Sequence, residues 1–345
     1  MMSRDCAGLA ASERMPWSAF AGATIVVTGA TGLIGQTLVG ALLAREELAP
    51  TGMSVVALVR NADKGRRMFG SRDALRFVVW DAATPCLGLE QVEEADFIFH
   101  CANMTDSASF VQRPVEVIQT TVGGAQAMLE LARRTEARLC LLSTMETYGE
   151  VTTQEPLQEG QGGFLDAMEV RNSYPEAKRL DEALAAAYAA EYGVRVTVAR
   201  LTQTFGPGVA RDDGRVFAYF ARCARNGEDI VMLTQGTKQN AYLYTADAVS
   251  ALLHIAAKGE PGRAYNVAND STFCEVRQMA QLVAQAFGEG RTSVRFEIDD
   301  DAAKRFRKGS VLRLDTSSLR RLGWEPEVGL KDMYARMMAD WNSST

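Results

Sequence analysis

A β-branched run, Ala23-Thr24-Ile25-Val26-Val27-Thr28, leads straight into three glycines spaced three apart, Gly29, Gly32 and Gly35. Apolar residues then recur at helical spacing: Leu33, Ile34, Leu38, Ala41 and Leu42. Strand, glycine turn and helix in that order carry the backbone through a reversal where a Cβ would keep a ligand away. The free amides and the positive end of the following helix then make a cradle for an anion, and a pyrophosphate suits it. A glycine triplet by itself is also compatible with a plain tight turn. Set between a strand and a helix, it predicts the first unit of a dinucleotide-binding fold, with Gly29, Thr31, Gly32, Leu33, Ile34 and Gly35 as contacts.

The rhythm continues downstream. Met53–Val59, Leu75–Trp80, Asp96–His100, Arg138–Ser143 and Val194–Leu201 read as strands, with helices over 124–134 and Glu176–Tyr192. Strands that are apolar throughout, alternating with helices, predict an α/β fold: a Rossmann-type doubly wound parallel sheet covered on both faces. Ligands of such sheets sit at the carboxyl ends of the strands. That places Arg60, Asp81, Ala82, Cys101, Ala102, Asn103 and Leu201 among the cofactor contacts, and Thr121, Tyr174 and Lys178 are expected to join them.

After residue 202 the pattern loosens. Phe205–Gly208 and Arg211–Arg215 are loop-like. A helix over 216–226, strands Ile230–Leu233, Ala241–Tyr244 and Ala264–Val267, and helices over 247–257 and 274–287 follow. Residues 23–202 are thus expected to form the dinucleotide-binding domain, with return segments about 241–268. Residues 203–345 mainly form a smaller substrate-binding lobe, and residues 1–22 a flexible extension.

Of the chain's 345 residues 47% are apolar and 23% charged, the balance of a globular enzyme. The net charge of −6 without a basic cluster argues against nucleic acid or an anionic membrane as partner. Six scattered cysteines, several in apolar stretches, fit reduced thiols in the cytoplasm. No apolar run is long enough to span a bilayer, and the first 22 residues lack the hydrophobic block of a secretory signal. The two histidines, His100 and His254, lie in apolar surroundings and read as structural. No spacing of cysteine and histidine suggests a metal site.

The end of the second strand is where an acid would bind a ribose 2′-hydroxyl and an arginine a 2′-phosphate. Here Arg60-Asn61 stands, with no acid. The cofactor expected is NAD, with NADP left open by Arg60, which could equally be a solvated surface arginine. Asp81 is placed for the adenine amino group or for a simple turn.

Tyr174 and Lys178 are four apart at the start of a helix and share one face. A free tyrosine, with a pKa of about 10, is a poor base at neutral pH. A nearby ammonium favours the phenolate, which could then take a proton from a substrate hydroxyl as its carbon gives up hydride. Thr144, at the end of the fifth strand, would orient that hydroxyl.

Together Thr28–Gly35, Ser143-Thr144-Met145-Glu146-Thr147-Tyr148-Gly149 and Tyr174-Pro175-Glu176-Ala177-Lys178 resemble the extended short-chain dehydrogenase/reductase family, NAD-dependent epimerase/dehydratase type, from about residue 24 to 340. Arg200–Gly208 and Asp213–Val216 are most similar to the UDP-glucuronate decarboxylases. The resemblance implies a nucleotide-sugar substrate oxidised transiently at C4 by a tightly held cofactor. It also implies a homodimer, built on helices 108–134 and 176–192.

Glu146 stands where dehydratases and decarboxylases of this family carry a glutamate and plain 4-epimerases carry a small residue. The residues implied to bind substrate are Thr105, Thr144, Arg171, Gln203, Arg215, Val216, Asn240 and Arg313. Three departures are visible. Met145 replaces an acid of the glucose-type dehydratases and a serine of other members, Asn240 replaces an arginine that meets the substrate diphosphate, and Gln203 replaces an asparagine. The expected reaction is 4,6-dehydration or decarboxylation of a nucleotide sugar. 4-Epimerisation, NADPH-dependent reduction of a keto-sugar and, most remotely, non-catalytic NAD(P) sensing are the alternatives.

Overall fold

The computed structural model describes residues 4–151, 153, 155–299 and 311–343. Its first half runs α1 (Arg4–Ala11), β1 (Thr24–Thr28), α2 (Leu33–Leu48), β2 (Ser54–Val59), α3 (Ala62–Phe69), β3 (Leu75–Val79), β4 (Phe97–His100), α4 (Ser107–Gln112), α5 (Pro114–Thr135), β5 (Arg138–Thr144), α6 (Ser173–Tyr192) and β6 (Arg195–Leu201). The second half runs β7 (Gln203–Phe205), α7 (Val216–Asn226), β8 (Ile230–Met232), β9 (Gln239–Tyr244), α8 (Thr245–Lys258), β10 (Ala264–Val267), β11 (Asn269–Glu275), α9 (Val276–Phe287), β12 (Val294–Phe296), β13 (Val311–Leu312), α10 (Ser317–Arg320) and α11 (Leu330–Ser343).

Seven strands form a parallel sheet in the order β10-β6-β5-β4-β1-β2-β3. β1 lies inside it because both of its faces are apolar. Ile25 and Val27 pack with Leu38 and Leu42 of α2 and Val249 and Leu252 of α8, whereas Val26 packs with Met128 and Leu129 of α5. The doubly wound sheet expected from the strand pattern is therefore the fold. The order reverses beside β1, so the ends of β1 and β4 open the crevice in which such sheets bind ligands. Among the described residues no helix is long and apolar enough to cross a membrane.

Two expectations need correction. β9, at the start of the expected return segment 241–268, does not join the main sheet. It pairs with β7, β11 and β13 in a smaller sheet, while β10 alone returns to pair with β6. Nor is the segment before residue 23 loose from Arg4 onward; Met1–Ser3 lie outside the described residues. Cys6 and Ala10 of α1 pack on Ala44 of α2, and Asp5 accepts a hydrogen bond from the Tyr244 hydroxyl while pairing with Arg336. Trp17 and Phe20 are buried, the Phe20 ring 4.7 Å from that of Phe97. The few apolar residues here are too sparse for a periodic signal, but each meets a pocket made by residues far along the chain.

Phe20→Ala should cost about 3–5 kcal/mol, the usual loss for emptying a large aromatic site. Urea unfolding followed by circular dichroism measures it, and an unchanged midpoint would mean that this segment is not part of the core.

Candidate active site

Gly29 has φ +61°, a conformation that disfavours any side chain, and a Cβ there would lie 2.8 Å from the Ala102 backbone. A Cβ on Gly35 would lie 2.2 Å from the Gly29 carbonyl oxygen. Gly32 N–H closes the turn onto that carbonyl at 2.8 Å, and no side chain caps α2. The first amides of α2, at Leu33, Ile34 and Gly35, thus point out of the helix without helical partners, at the positive end of its dipole. These residues fit a dinucleotide's pyrophosphate. Thr31, in the same turn, is half-buried.

The neighbouring strand ends complete the crevice. Ala102 N–H donates to Thr28 Oγ1 at 3.0 Å, which also bonds His100 Nδ1 at 2.9 Å. Burial, then the charge of Lys178, pushes His100 down to about 3, so this histidine is a neutral structural partner. Asn103 Oδ1 accepts from Thr121 Oγ1 at 2.9 Å. Cys101, beside Gly29, has its thiol pushed up by burial. Arg60 is exposed at the end of β2 and Leu201 buried at the end of β6. Asp81 accepts from Ala83 N–H at 3.0 Å, the turn contact that was the alternative to adenine binding, while Ala82 lines the crevice against the α5 backbone at Gly124.

α6 brings the acid–base residues together. Its buried face carries Tyr174, Lys178, Asp181 and Ala185, spaced to stack over successive turns. Thr144, at the end of β5, hydrogen-bonds the Tyr174 phenol, an interaction that favours the phenolate. Lys178 Nζ donates to the Leu142 carbonyl at 2.8 Å and to Asp181 Oδ2 at 3.0 Å. The tyrosine is not lowered as the Tyr-Lys pair alone suggests. Burial raises its pKa, and the charges of Glu146 and Asp181 raise it further.

Glu146, in the turn after β5, pairs with Arg171 at 3.2 Å. The Arg171 guanidinium lies over the Phe110 ring at 5.0 Å, and Phe110 stacks face to face on Tyr174 with centroids 4.5 Å apart and planes 7° off parallel. Arginine, phenylalanine and tyrosine therefore form one column, with Glu146 tethered to its outer end. Behind the column, Arg200 is clamped to Glu182, which also accepts from Ser143 Oγ, fixing β5, β6 and α6 relative to one another. Phe110 and Asp181 are absent from the sequence-predicted set. Asp181 was legible as an acid at i+3 from Lys178 on the apolar face; Phe110 was not, because its pairing with Tyr174 joins distant segments.

The remaining predicted substrate residues gather elsewhere. Gln203 on β7 sits opposite Tyr242 of β9, and Asn240 of β9 sits between Cys274 of β11 and Leu312 of β13. Gln203 Oε1 and Asn240 Oδ1 are both buried without a hydrogen-bond partner. Arg313, exposed after β13, lies 5.8 Å over the Phe273 ring. Arg215 is held by Asp213 at 2.6 Å and lies over Phe217, with Val216 beginning α7. Thr105 lies exposed in the loop after β4.

Known proteins share this sequence pattern and this fold. Over 325 residues the chain is 31% identical to UDP-glucuronic acid decarboxylase 2 of Arabidopsis thaliana, covering 93% of this chain and 68% of that one. The fold matches UDP-glucose 4-epimerase of Thermotoga maritima with a TM-score of 0.77 at 23% identity, over 93% of this chain and 99% of that one. It also matches dTDP-glucose 4,6-dehydratase of Streptomyces venezuelae with a TM-score of 0.77 at 23% identity, over 93% and 97%. The model of one family spans residues 25–268, from the first residues of β1 to just beyond β10. With the glycine turn and the Thr-Tyr-Lys set in place on that span, the chain belongs to the NAD dependent epimerase/dehydratase family.

Proposed function

We propose that this enzyme decarboxylates a nucleotide-linked uronic acid through transient oxidation at C4, with NAD as the cofactor. The observation that carries this reading is Glu146, held by Arg171 beside Tyr174 and Thr144. The relatives named as UDP-glucuronic acid decarboxylases support it. Met145, buried in the position where the glucose-type dehydratases have an acid, argues against a glucose-type dehydratase.

In this reading Thr144 orients the C4 hydroxyl and Tyr174 takes its proton. Gly29–Gly35 and the first amides of α2 would hold NAD, which when bound would supply an acceptor for hydride from C4 and a donor for its return. With C4 a ketone, the C5 carboxylate group leaves as carbon dioxide, its bonding electrons moving into the C4 enolate. A proton drawn from solvent reaches C5 through Glu146, and Tyr174 gives its own back to the C4 oxygen. The buried, unpartnered oxygen of Gln203 is open to a donor on the nucleotide or sugar, since such an atom is costly to leave unpaired. Subunits pair as a homodimer through α4, α5 and α6, where Val111, Val115, Ile118 and Leu180 are exposed. Light scattering showing a monomer at micromolar concentration would sink that assembly.

The reaction is tested by mass spectrometry in heavy water, with protein and NAD or NADP offered UDP-glucuronate, UDP-, dTDP- and CDP-glucose, and GDP-mannose. Loss of carbon dioxide from UDP-glucuronate with uptake of one deuterium supports the proposal. Loss of water from a hexose, or inversion without deuterium, replaces it with dehydration or epimerisation. Glu146→Gln should slow product formation by about 10²-fold or more while the cofactor's reduction on mixing persists.

A further inference from the structure

Asp181 is wholly shut off from solvent, one turn beyond Lys178 on the buried face of α6. Its Oδ2 accepts from Lys178 Nζ, and its Oδ1 has no hydrogen-bond partner. A carboxylate in such a place is a poor stabilising element. Burying an ion pair gives back little of what desolvation costs, and an apolar side chain would pack there at least as well. Its effect is electrostatic. A lone ammonium near Tyr174 would favour the phenolate, but an anion 3.0 Å from that ammonium turns the charge into a short dipole whose field decays quickly.

Two carboxylates act on Tyr174, Glu146 and Asp181, each tied to a cation, Arg171 and Lys178, and both favour the neutral phenol. The other titratable groups around the pair do not restore the balance. Arg171, over Phe110, is taken up by Glu146, Glu182 on α6 is taken up by Arg200 of β6, and His100 and Cys101 at the end of β4 are both held neutral by burial. Burial pushes Asp181 up to about 6 against the pull of Lys178, so it is ionised above that value.

We propose that Asp181 is a counter-ion that offsets Lys178 and so raises the pH at which Tyr174 becomes a base. It is a positioning residue, acting through Lys178 and through space. The inference builds on the reading of Tyr174 as the base, but its test needs neither substrate nor cofactor.

Tyrosine labelled with ¹³C at Cζ reports each phenol's ionisation by NMR, and the Tyr174 signal is the one lost in Tyr174→Phe. Between wild type and Asp181→Asn the Tyr174 midpoint should fall by about one pH unit or more, a tenfold change in its ionisation constant. A purely structural carboxylate would alter thermal stability and leave that midpoint alone. Equal midpoints, or an upward move, overturn the proposal.

Should Asp181→Asn fail to fold, the wild-type protein still decides. With ¹³Cγ-labelled aspartate the Asp181 carboxyl must be ionised at pH 8, and a protonated carboxyl there overturns the proposal. Once a substrate is in hand, the acid limb of kcat/KM in Asp181→Asn should move down by a similar amount. A shifted NMR midpoint with an unmoved pH profile would keep the counter-ion and discard Tyr174 as the base.

Discussion

Tyr174→Phe should lower kcat by about 10²–10⁴-fold, the range that a positioned acid–base group contributes. Cofactor affinity should change by less than about threefold, because the pyrophosphate cradle at Gly29–Gly35 lies on other elements. The substitution removes one oxygen and keeps the ring, so the stack on Phe110 and the column out to Arg171 stay intact. What goes is the hydrogen bond with Thr144 and the atom that exchanges a proton with the sugar. Steady-state kinetics with the identified substrate, beside calorimetric titration of the cofactor, separate the two effects. Activity within tenfold of wild type would show that another group carries the proton, and it would return cofactor sensing to consideration.

Gly35→Ala should abolish cofactor binding at millimolar NAD and lower stability by about 1–3 kcal/mol, the cost of forcing atoms into filled space. The sign is informative, because glycine to alanine inside a helix ordinarily gains about 1 kcal/mol. Here the added Cβ would meet the Gly29 carbonyl oxygen at 2.2 Å, the Gly29 carbonyl carbon at 2.8 Å and Ala30 Cα at 2.9 Å. All three are backbone atoms, so no rotamer change relieves the contact, and the turn itself must open. Urea midpoints and calorimetric NAD titration read both outcomes. An alanine variant that binds NAD normally and unfolds at or above the wild-type midpoint would mean that the turn is not packed as described.

The glycine turn, the strand and helix pattern and the Tyr174-Lys178 pair were legible because each is local in sequence. A strand-to-helix turn that must admit a pyrophosphate dictates its own glycines, and a helix places residues four apart on one face whatever surrounds it. The docking of residues 4–22 was not legible, since the partners of Phe20 and Asp5, namely Phe97, Tyr244 and Arg336, lie far away along the chain. The same holds for β9, whose apolar pattern is that of a strand but does not say which sheet will accept it.

In the site the division is the same. Residue types and spacing by themselves determined that a tyrosine and a lysine share one helix face and that a glycine turn joins the first strand to its helix. Only the tertiary structure decided their electrical surroundings: Glu146 drawn to Arg171, Phe110 laid flat on Tyr174, and Lys178 partnered by a buried Asp181. A pKa depends on burial and on charges a few ångströms away in any direction, and those are fixed by packing between segments that the linear order does not bring together.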